Sequence, residues 1–178
     1  RRGRPWIMPP GNLAATLIYR PWATPAEAAK RSFLAANALL QALAMAAPGA
    51  RLTLKWPNDI VVAGKKIGGI LCETTPIASR YCVLIGLGLN VNMPEAMLTA
   101  IDRPATSLAK ELGVPVDVEA LLQSLARDFG EALGLFQSEG FAPFFHVFAN
   151  FLQQKPGISV RLTDYHKVWE GVVASLKT

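Results

Sequence analysis

The sequence has few cysteines and no long hydrophobic run, and each shortage excludes a class of protein. Only two cysteines, Cys72 and Cys82, occur in 178 residues, which excludes a disulfide-rich secreted scaffold and predicts a reduced, cytoplasmic location. A disulfide between the two is the alternative, since a hairpin could bring them together. No apolar run reaches the ~20 residues that a membrane-spanning helix needs, because Asn37 and Gln41 interrupt the alanine-rich stretch 33–48. We therefore expect a soluble protein without a membrane partner.

Charged residues are also scarce. They make up 17% of the chain, below the ~25% of an average domain, whereas hydrophobic residues make up 51%. This composition excludes large-scale disorder and predicts one domain with a sizeable core. The net charge of +5 indicates either an anionic partner or a surface that is merely soluble. Three of the eighteen basic residues, Arg1, Arg2 and Arg4, lie in the first four positions.

Several catalytic and cofactor motifs are missing. The sequence contains no P-loop, no Gly-x-Gly-x-x-Gly turn and no Gly-x-Ser-x-Gly nucleophile elbow. Its two histidines, His146 and His166, and its two cysteines lack the spacing of zinc ligands. We therefore expect any chemistry to depend on positioning and electrostatics.

Hydrophobic periodicity predicts a chain with both strands and helices. A strand over 13–20 precedes a helix that begins at Pro25, after a capping box formed by Thr24 and Glu27, and that ends before Pro48. Short turns join the next four strands, which favours antiparallel neighbours. The further predicted elements are strands at 51–55, 60–62, 67–73 and 81–92, helices at 107–112, 118–136 and 141–152, and strands at 158–162 and 168–173.

The strand predicted over 81–92 has an apolar face and a nearly bare face. If side chains alternate, the bare face carries Gly86 and Gly88, followed by Asn90 and Asn92. Glycine weakens a strand unless another group must approach the backbone closely. We interpret the pattern as a shelf on which a flat ligand lies, with Asn90 bonded to one end of it. The alternative is that packing of another element requires the space.

Two motifs upstream of this strand combine charge with further glycines or a turn. In Lys66-Ile-Gly-Gly69, a lysine enters a strand whose following polar-face positions lack side chains, so its ammonium could reach an anion along the sheet. A lysine that guards a sheet edge is the alternative, and Lys65 fits that description. Lys55-Trp-Pro-Asn-Asp59 has the composition of a turn. Asp59 could also hold a phosphate-bound magnesium ion, which takes one or two carboxylates.

The segment Arg1-Arg-Gly-Arg-Pro-Trp6 offers guanidinium donors for phosphate or carboxylate beside a large ring. In sequence order, this segment, Lys55-Trp-Pro-Asn-Asp59 and Lys66-Ile-Gly-Gly69 resemble the catalytic domain of biotin protein ligases. The lysine-tryptophan-proline-asparagine-aspartate turn followed by Lys-x-x-Gly is the most specific part of the resemblance. Gly86-Leu-Gly-Leu-Asn-Val-Asn92 and Ala105-Thr-Ser-Leu108 are similar to later motifs of the family.

The resemblance implies an α+β fold with a mixed, largely antiparallel sheet flanked by helices. It implies a catalytic domain over residues 1–155, followed by the start of a small SH3-like β domain over residues 156–178. Compared with the family, the chain begins inside the arginine-rich loop and stops partway through the C-terminal barrel. We therefore expect either that residues upstream of Arg1 complete the biotin pocket or that the chain is a genuine fragment that lacks them.

The resemblance further implies an ATP-dependent ligase that makes biotinyl-5′-AMP and transfers biotin to a lysine of a biotin carboxyl carrier protein. Lys66 and Arg1 would act on the biotin carboxylate and the α-phosphate, and Asp59 would assist magnesium or the incoming lysine. The implied partners are the carboxylase carrier and a second copy of the chain, with nucleic acid only where a DNA-binding domain precedes Arg1. The implied biotin-binding residues are Arg1, Lys66, Gly69, Leu71, Gly86 and Gly88, and the implied ATP-binding residues are Arg4, Trp6 and Asn90.

Two other functions fit parts of the sequence. A lipoate or octanoate ligase shares the fold and a Lys-x-x-Gly motif, although Trp56-Pro-Asn-Asp59 favours biotin. A non-catalytic module is the second alternative, either a decayed ligase or a nucleic-acid binder that uses Arg1, Arg2 and Arg4. A binder of nucleic acid is expected to combine aromatic residues with a basic stripe, but the basic residues beyond Arg4 are dispersed.

Overall fold

The computed structural model describes residues 8–19, 25–77, 80–163 and 167–176. Strands and helices are both present, and the largest sheet has five antiparallel strands, which confirms the predicted α+β class. In chain order, the elements are β1 (Leu13–Tyr19), α1 (Pro25–Ala46), β2 (Leu52–Lys55), β3 (Asp59–Val62), β4 (Lys65–Ile77), β5 (Arg80–Leu89), α2 (Glu95–Thr99), α3 (Leu108–Leu112), α4 (Val118–Glu139), α5 (Ala142–Phe151), β6 (Ser159–Thr163) and β7 (Val168–Val172).

The five strands lie in the order β1-β5-β4-β3-β2, and α1 covers one face of this sheet. The alanine-rich sequence of α1 suits this position, because small side chains let a helix approach a sheet closely. Ala35, Ala38 and Ala42 are at most 1% exposed, and Leu39 and Leu43 fill the spaces between them. Helix α4 packs against α1, and α5 packs against α1 and β2, so all three helices contribute to the core.

Part of the opposite face of the sheet is open in the described part of the chain. Ala14, Thr16 and Ile18 of β1 are exposed on it, and Leu71 of β4 is exposed beside them. Because an antiparallel sheet buries only one face against its helices, the other is available to a ligand or a partner.

Most elements lie where the sequence predicts them, and three differ. Strand β4 continues to Ile77, through residues predicted to turn. Strand β5 ends at Leu89, so Asn90 and Asn92 follow the strand and are not part of it. The short helix α2 has no counterpart among the predictions. The predicted N-cap Thr24 lies outside the described residues, although α1 begins at Pro25 as expected.

A β-bulge at Ile67 decides which face of the sheet Lys66 occupies. Two successive residues of β3 pair with Lys66 and Gly68, so Ile67 is the extra residue of β4. The bulge places the Lys66 side chain on the same face as Gly69 and turns Gly68 toward the core. If side chains alternated strictly from Lys66, Gly68 would lie on the same face as Lys66. The bulge that prevents this could not be predicted from the sequence period.

The two cysteines cannot form a disulfide in this arrangement. Cys72 lies opposite Ile85 in the β4–β5 hairpin, whereas Cys82 lies opposite Thr75, three residues further along β4. The two side chains therefore point to opposite faces of the sheet, and both thiols are free. Burial raises the pKa of the Cys72 thiol above its ordinary value, and the Glu73 carboxylate adds to the rise. The thiol therefore stays protonated and weakly nucleophilic near neutral pH.

The C-terminal strands β6 and β7 form a two-stranded sheet of their own. Both strands are short and solvent-exposed, including Trp169 at 48% and Val172 at 61%. The hairpin agrees with the predicted start of a small β domain, and the proposed boundary after residue 155 remains a prediction. In the residues that the structure describes, no helix is long and apolar enough to cross a membrane.

Gly68 provides a test of the packing between β4 and β5. A Cβ atom at Gly68 would lie 2.8 Å from the carbonyl oxygen of Gly88 and 2.9 Å from Cδ1 of Leu89. We expect Gly68→Ala to lower the free energy of unfolding by about 1–3 kcal/mol, because backbone atoms must move to admit the methyl group. Urea denaturation monitored by circular dichroism measures the change.

A matched control is Gly130, which is exposed inside α4 and has no described atom within 4 Å of an added Cβ. Gly130→Ala should raise the free energy of unfolding by roughly 0.5–1 kcal/mol, since alanine restricts the unfolded chain and favours the helix. Equal stability of the two variants would contradict the close approach of β4 and β5.

Candidate functional site

Three glycines of neighbouring strands form a bare surface on the open face of the sheet, which we call the glycine shelf. Gly69 of β4 lies directly opposite Gly88 of β5, and Gly86 lies opposite Leu71. On the other side of β5, Ala14 of β1 pairs with Gly88 and adds only a methyl group. Each shelf glycine is half-buried by its neighbours along the sheet. The predicted floor residues are therefore together on one face.

The shelf glycines differ in how much space the surrounding residues leave them. A Cβ at Gly69 would lie 3.3 Å from the Lys66 ammonium nitrogen, so glycine there makes room for that group. Among the described residues, a Cβ at Gly86 would meet only Leu71, with its carbonyl oxygen at 3.6 Å and its Cβ at 3.8 Å. These are ordinary contacts, and Gly86 does not have a positive φ. Within the described part of the chain, neither packing nor backbone conformation requires glycine at position 86.

The ammonium of Lys66 stands at the edge of the shelf and is bound by Asp59. The Lys66 Nζ to Asp59 Oδ1 distance is 2.5 Å, and the two side chains are 17% and 26% exposed. Asp59 pairs with Gly69 across β3 and β4, so the carboxylate, the lysine and the shelf share one face. Low exposure weakens the screening of this pair by water, so the positive charge is held in a defined place.

The turn before Asp59 is attached to β4 by Asn58. Its side-chain Nδ2 donates to the Ile70 carbonyl oxygen at 2.8 Å, and the Ile70 N–H donates back to the Asn58 carbonyl at 2.9 Å. On the outer side of the turn, the Trp56 N–H donates to Gln154 Oε1 at 3.0 Å. The sequence identified Asn58 only as a turn former. Its contact with β4 fixes the position from which Asp59 reaches Lys66.

A segment far along the chain holds the backbone of Lys66 from the other side. We call residues Pro104, Ala105 and Thr106 the strap. The Lys66 N–H donates to the Pro104 carbonyl, and the Thr106 N–H donates to the Lys66 carbonyl, both at 2.9 Å. Strand β5 ends before it reaches Lys66, and the strap lies beside β4 at that position instead. Ala105 and Thr106 of the strap belong to the Ala105-Thr-Ser-Leu108 motif, for which the sequence suggested no role.

Asn90 lies next to the strap and is 5% exposed. Its Nδ2 donates to the Thr106 carbonyl at 3.0 Å. Asn92, predicted on the shelf face, instead bonds through its amide to Gly11 and Val116, away from the shelf.

A charged cleft of about 420 Å³ opens beside the Lys66–Asp59 pair. Arg103, the residue before the strap, lines this cleft. Its Nε bonds Asp102 Oδ1 at 3.2 Å. No motif in the sequence indicated Arg103, because only the fold brings it near β3 and β4. The lining residues are Lys55, Asp59, Val61, Gly64, Lys66, Asp102, Arg103 and Pro104.

Two described carboxylates line the charged cleft, those of Asp59 and Asp102, and Asp59 is the one that contacts Lys66. Among the described residues, no group of three or more His, Cys, Asp or Glu side chains could enclose a metal ion. A single carboxylate fits a magnesium ion that takes its other ligands from phosphate oxygens and water. Lys65 is exposed at the start of β4, before the pairing with β5 begins at Gly68, and its role as an edge lysine stays a prediction.

Some predicted site residues lie outside the described residues, namely Arg1, Arg4 and Trp6. His146 is exposed on α5 with its ring against Phe145, and it lies on an element apart from the shelf. His166 is outside the described residues.

Comparison with known proteins gives the same family for sequence and structure. The profile of the Biotin/lipoate A/B protein ligase family matches residues 1–90. The chain is 42% identical over 149 residues to the biotin–[acetyl-CoA-carboxylase] ligase of Paracoccus denitrificans, across 80% of this chain and 61% of that protein. It is 32% identical over 146 residues to the bifunctional ligase/repressor BirA of Escherichia coli, across 81% of this chain and 45% of that protein.

The fold also matches solved structures. The biotin protein ligase from Aquifex aeolicus in complex with biotin and ATP superposes with a TM-score of 0.77 and 25% identity, across 97% of this chain and 70% of that one. The described chain therefore shares the architecture of a protein solved with both ligands. It spans only part of the length of the two curated relatives, 61% and 45%.

Gly86 gives a direct test of why the shelf is bare. Gly86→Ala should leave the free energy of unfolding unchanged or raise it by up to about 1 kcal/mol, because the methyl group meets no close contact and alanine restricts the unfolded chain. Urea denaturation measures the change. A loss comparable to that of Gly68→Ala would mean that packing requires glycine at both positions.

Proposed function

Because the chain belongs to the Biotin/lipoate A/B protein ligase family, we propose that it is the catalytic part of a biotin protein ligase. The reaction joins biotin to ATP as biotinyl-5′-AMP, releases pyrophosphate and transfers biotin to a lysine of a biotin carboxyl carrier protein. The names of the Paracoccus relative and of the Aquifex structure support biotin as substrate, and the carboxylase in the name of the Paracoccus protein supports the carrier.

One observation carries the proposal: a defined ammonium group at the edge of a bare, open shelf. Gly86 lacks a side chain without any structural requirement in the described residues, and a flat ring system lying on the sheet explains that absence. Leu71, 39% exposed beside Gly86, offers apolar surface for the same ligand. A biotin molecule on this surface would direct its carboxylate toward Lys66.

In the first step, the biotin carboxylate oxygen attacks the α-phosphorus of ATP, and the bond to pyrophosphate breaks. Negative charge increases on the phosphoryl oxygens as this happens, and the Lys66 ammonium stabilises it. The Lys66–Asp59 bond keeps the ammonium in place before substrate arrives, so little reorganisation is needed during the reaction. Magnesium, with Asp59 as its protein ligand, would neutralise phosphate charge.

In the second step, the amine of the carrier lysine attacks the acyl carbon of biotinyl-5′-AMP, and AMP leaves. Asp59 lines the charged cleft and would orient the incoming amine and accept its proton. The cleft leads from the surface to Lys66, so the carrier side chain would enter there. Arg1 and Arg4 would hold the acyl phosphate, and Trp6 would pack near the adenosine.

Other features of the protein follow from the same proposal. We propose a cytoplasmic location, where the carboxylase carrier and ATP are found. The Escherichia coli relative is also named a repressor, but the match spans 45% of that protein. DNA binding is therefore not proposed for these residues, and a homodimer remains a prediction.

Lys66 is tested by pyrophosphate exchange into ATP, measured on the complete protein. Lys66→Ala should reduce the biotin-dependent exchange rate by about 100-fold or more, since the variant loses the charge that stabilises the transition state. The matched control is Lys65→Ala, which removes the adjacent, exposed lysine and should keep near-normal exchange. Exchange that depends on lipoate and not on biotin would overturn the choice of substrate. Equal activity of the two variants would overturn the role of Lys66.

The shelf is tested by adding one methyl group where the fold tolerates it. Gly86→Ala should raise the biotin dissociation constant by about tenfold or more, because the methyl group occupies space needed by the ligand. Titration calorimetry with biotin alone measures this, and the KM for ATP serves as an internal control. Unchanged biotin affinity in a folded Gly86→Ala protein would show that biotin does not lie on Gly86.

A further inference from the structure

The charged cleft contains more positive charge than the roles proposed above require. Three cations line it, those of Lys55, Lys66 and Arg103, together with the carboxylates of Asp59 and Asp102. The Asp59 carboxylate is bonded to the Lys66 ammonium at 2.5 Å, so this pair is close to neutral. Lys55 and Arg103 remain, and the proposed function gives neither of them a role.

Lys55 lines the cleft from β2, the last strand of the sheet. It lies directly opposite Asp59 in the β2–β3 ladder, so its side chain is on the same face of the sheet as Asp59 and the shelf. The residue is exposed, and no described carboxylate forms an ion pair with its ammonium. Its charge is therefore available to an anionic ligand.

Arg103 lines the cleft from the side of the strap, so β4 and Lys66 lie between it and Lys55. Its side chain is 35% exposed, and its Nε bonds Asp102, which is itself 74% exposed. Within the described part of the chain, its two terminal amino groups make no hydrogen bond. A guanidinium presents such donors in a planar fork that matches two oxygens of a phosphate.

The cleft lies on the far side of Lys66 from the shelf. Along the open face of β4, the bulge gives the order Leu71, Gly69 and Lys66. Gly69 belongs to the shelf and Leu71 lies beside it, whereas Val61, which pairs with Lys66, and Gly64, in the turn before β4, line the cleft. A ligand on the shelf whose carboxylate reaches Lys66 therefore has the cleft ahead of that carboxylate.

This order matches the direction of the first proposed step. A carboxylate oxygen of biotin forms a bond to the α-phosphorus, and the bond from that phosphorus to the β-phosphate oxygen breaks, with its electron pair remaining on pyrophosphate. The attacking and leaving oxygens lie roughly in line across the phosphorus. Because the carboxylate comes from the shelf, pyrophosphate departs toward the cleft. Negative charge increases on it as the bond breaks, and nearby cations stabilise that charge.

We propose that the charged cleft is the subsite for the pyrophosphate group of ATP, and that Arg103 and Lys55 bind this group. The cleft volume of about 420 Å³ is in the range of small-ligand sites. The proposal rests on the function above and deepens it, because it names the residues that hold the leaving group of that reaction. Asp59, in the same cleft, remains the proposed ligand of magnesium.

The carrier lysine, proposed to enter the same cleft, does not account for these cations. Two positive charges repel the ammonium form of a lysine. Pyrophosphate has left before the second step begins, so the two groups use the cleft in turn. An acidic surface of the carrier protein is the competing interpretation of Arg103 and Lys55, and the experiment distinguishes it from pyrophosphate.

The experiment compares Arg103→Ala and Lys55→Ala with Arg51→Ala in the complete protein. Arg51 is the matched control, because it is exposed directly before β2, carries the same charge and does not line the cleft. Exchange of pyrophosphate into ATP gives the rate and the KM for pyrophosphate, and transfer of biotin gives the KM for the carrier. Titration calorimetry compares ATP with a biotinyl-5′-AMP analogue in which a sulfamoyl group replaces the phosphate.

Arg103→Ala and Lys55→Ala should each raise the KM for pyrophosphate by about tenfold, as for the loss of one hydrogen bond to a charged group. The affinity for ATP should fall by a similar factor. The affinity for the analogue should stay within about twofold, because the analogue has no pyrophosphate group to lose a contact. Arg103→Lys keeps the charge and should recover part of the loss. Arg51→Ala should match the parent in every measurement.

Four results would overturn the proposal. An equal loss of affinity for the analogue would place the cations at the adenylate. A raised KM for the carrier with unchanged affinity for pyrophosphate and ATP would make the cleft a docking surface for the carrier. The same losses in Arg51→Ala would indicate a general effect of charge. Unchanged values in both cleft variants would show that neither residue binds a ligand. If Arg103→Ala does not fold, Arg103→Gln removes the charge and keeps most of the side-chain length.

Lys66→Ala separates failure of this inference from failure of the proposed function. If Lys66→Ala abolishes biotin-dependent exchange and the two cleft variants keep the KM for pyrophosphate, the function stands and the subsite is wrong. If the complete parent protein shows no biotin-dependent exchange, the proposed function fails first.

Discussion

The site depends on one extra residue in β4. Ile67 interrupts the pairing of β3 and β4, and this bulge turns Lys66 onto the same face of the sheet as Asp59 and Gly69. Without it, regular alternation would send Lys66 and Gly69 to opposite faces. An ammonium on the helix-covered face would lie among the fully buried Ile60 and Leu89, where a charge without a partner is strongly unfavourable. The bulge is therefore the reason that a lysine can stand beside a bare surface here.

The glycines of β4 and β5 serve different physical purposes, although the sequence presents them as similar pairs. Gly68 allows two backbones to approach, because a Cβ there would meet the Gly88 carbonyl. Gly69 leaves room for the Lys66 ammonium. Neither reason applies to Gly86, so the absence of a side chain there indicates a contact with something outside the described chain. Packing thus explains glycine at position 68, whereas the ligand interpretation stays a prediction for Gly86.

The sequence predicts the helices and strands well because the patterns that indicate them lie within each segment. The alanine-rich helix, the antiparallel hairpins and the C-terminal strands follow from alternation, capping and turn residues. The motifs around Lys66 and Gly86 also locate the site, since each contains its glycines and charges within a few residues. The bulge at Ile67 could not be predicted, because it arises from the match between two strands.

Contacts between segments that are distant in sequence could not be predicted either. The strap at Pro104 bonds Lys66, and Gln154 bonds Trp56, but neither has a local pattern that reveals its partner. Asn92 shows the same limit: alternation placed it on the shelf, whereas the end of β5 at Leu89 releases it to bond Val116. Predictions from period fail where a strand ends, because the chain is then free to rotate.

The arrangement around Lys66 indicates where catalytic precision comes from in such a site. The proposed chemistry requires no strongly nucleophilic side chain, since its attacking groups would be the carboxylate of one substrate and the amine of another. The protein contributes a charge in a fixed place, and that place is defined by main-chain bonds from the strap and by the side chains of Asp59 and Asn58. Several of these groups have no reactive chemistry of their own. Residues that only hold the backbone are therefore expected to matter as much for the reaction as residues that touch the substrate.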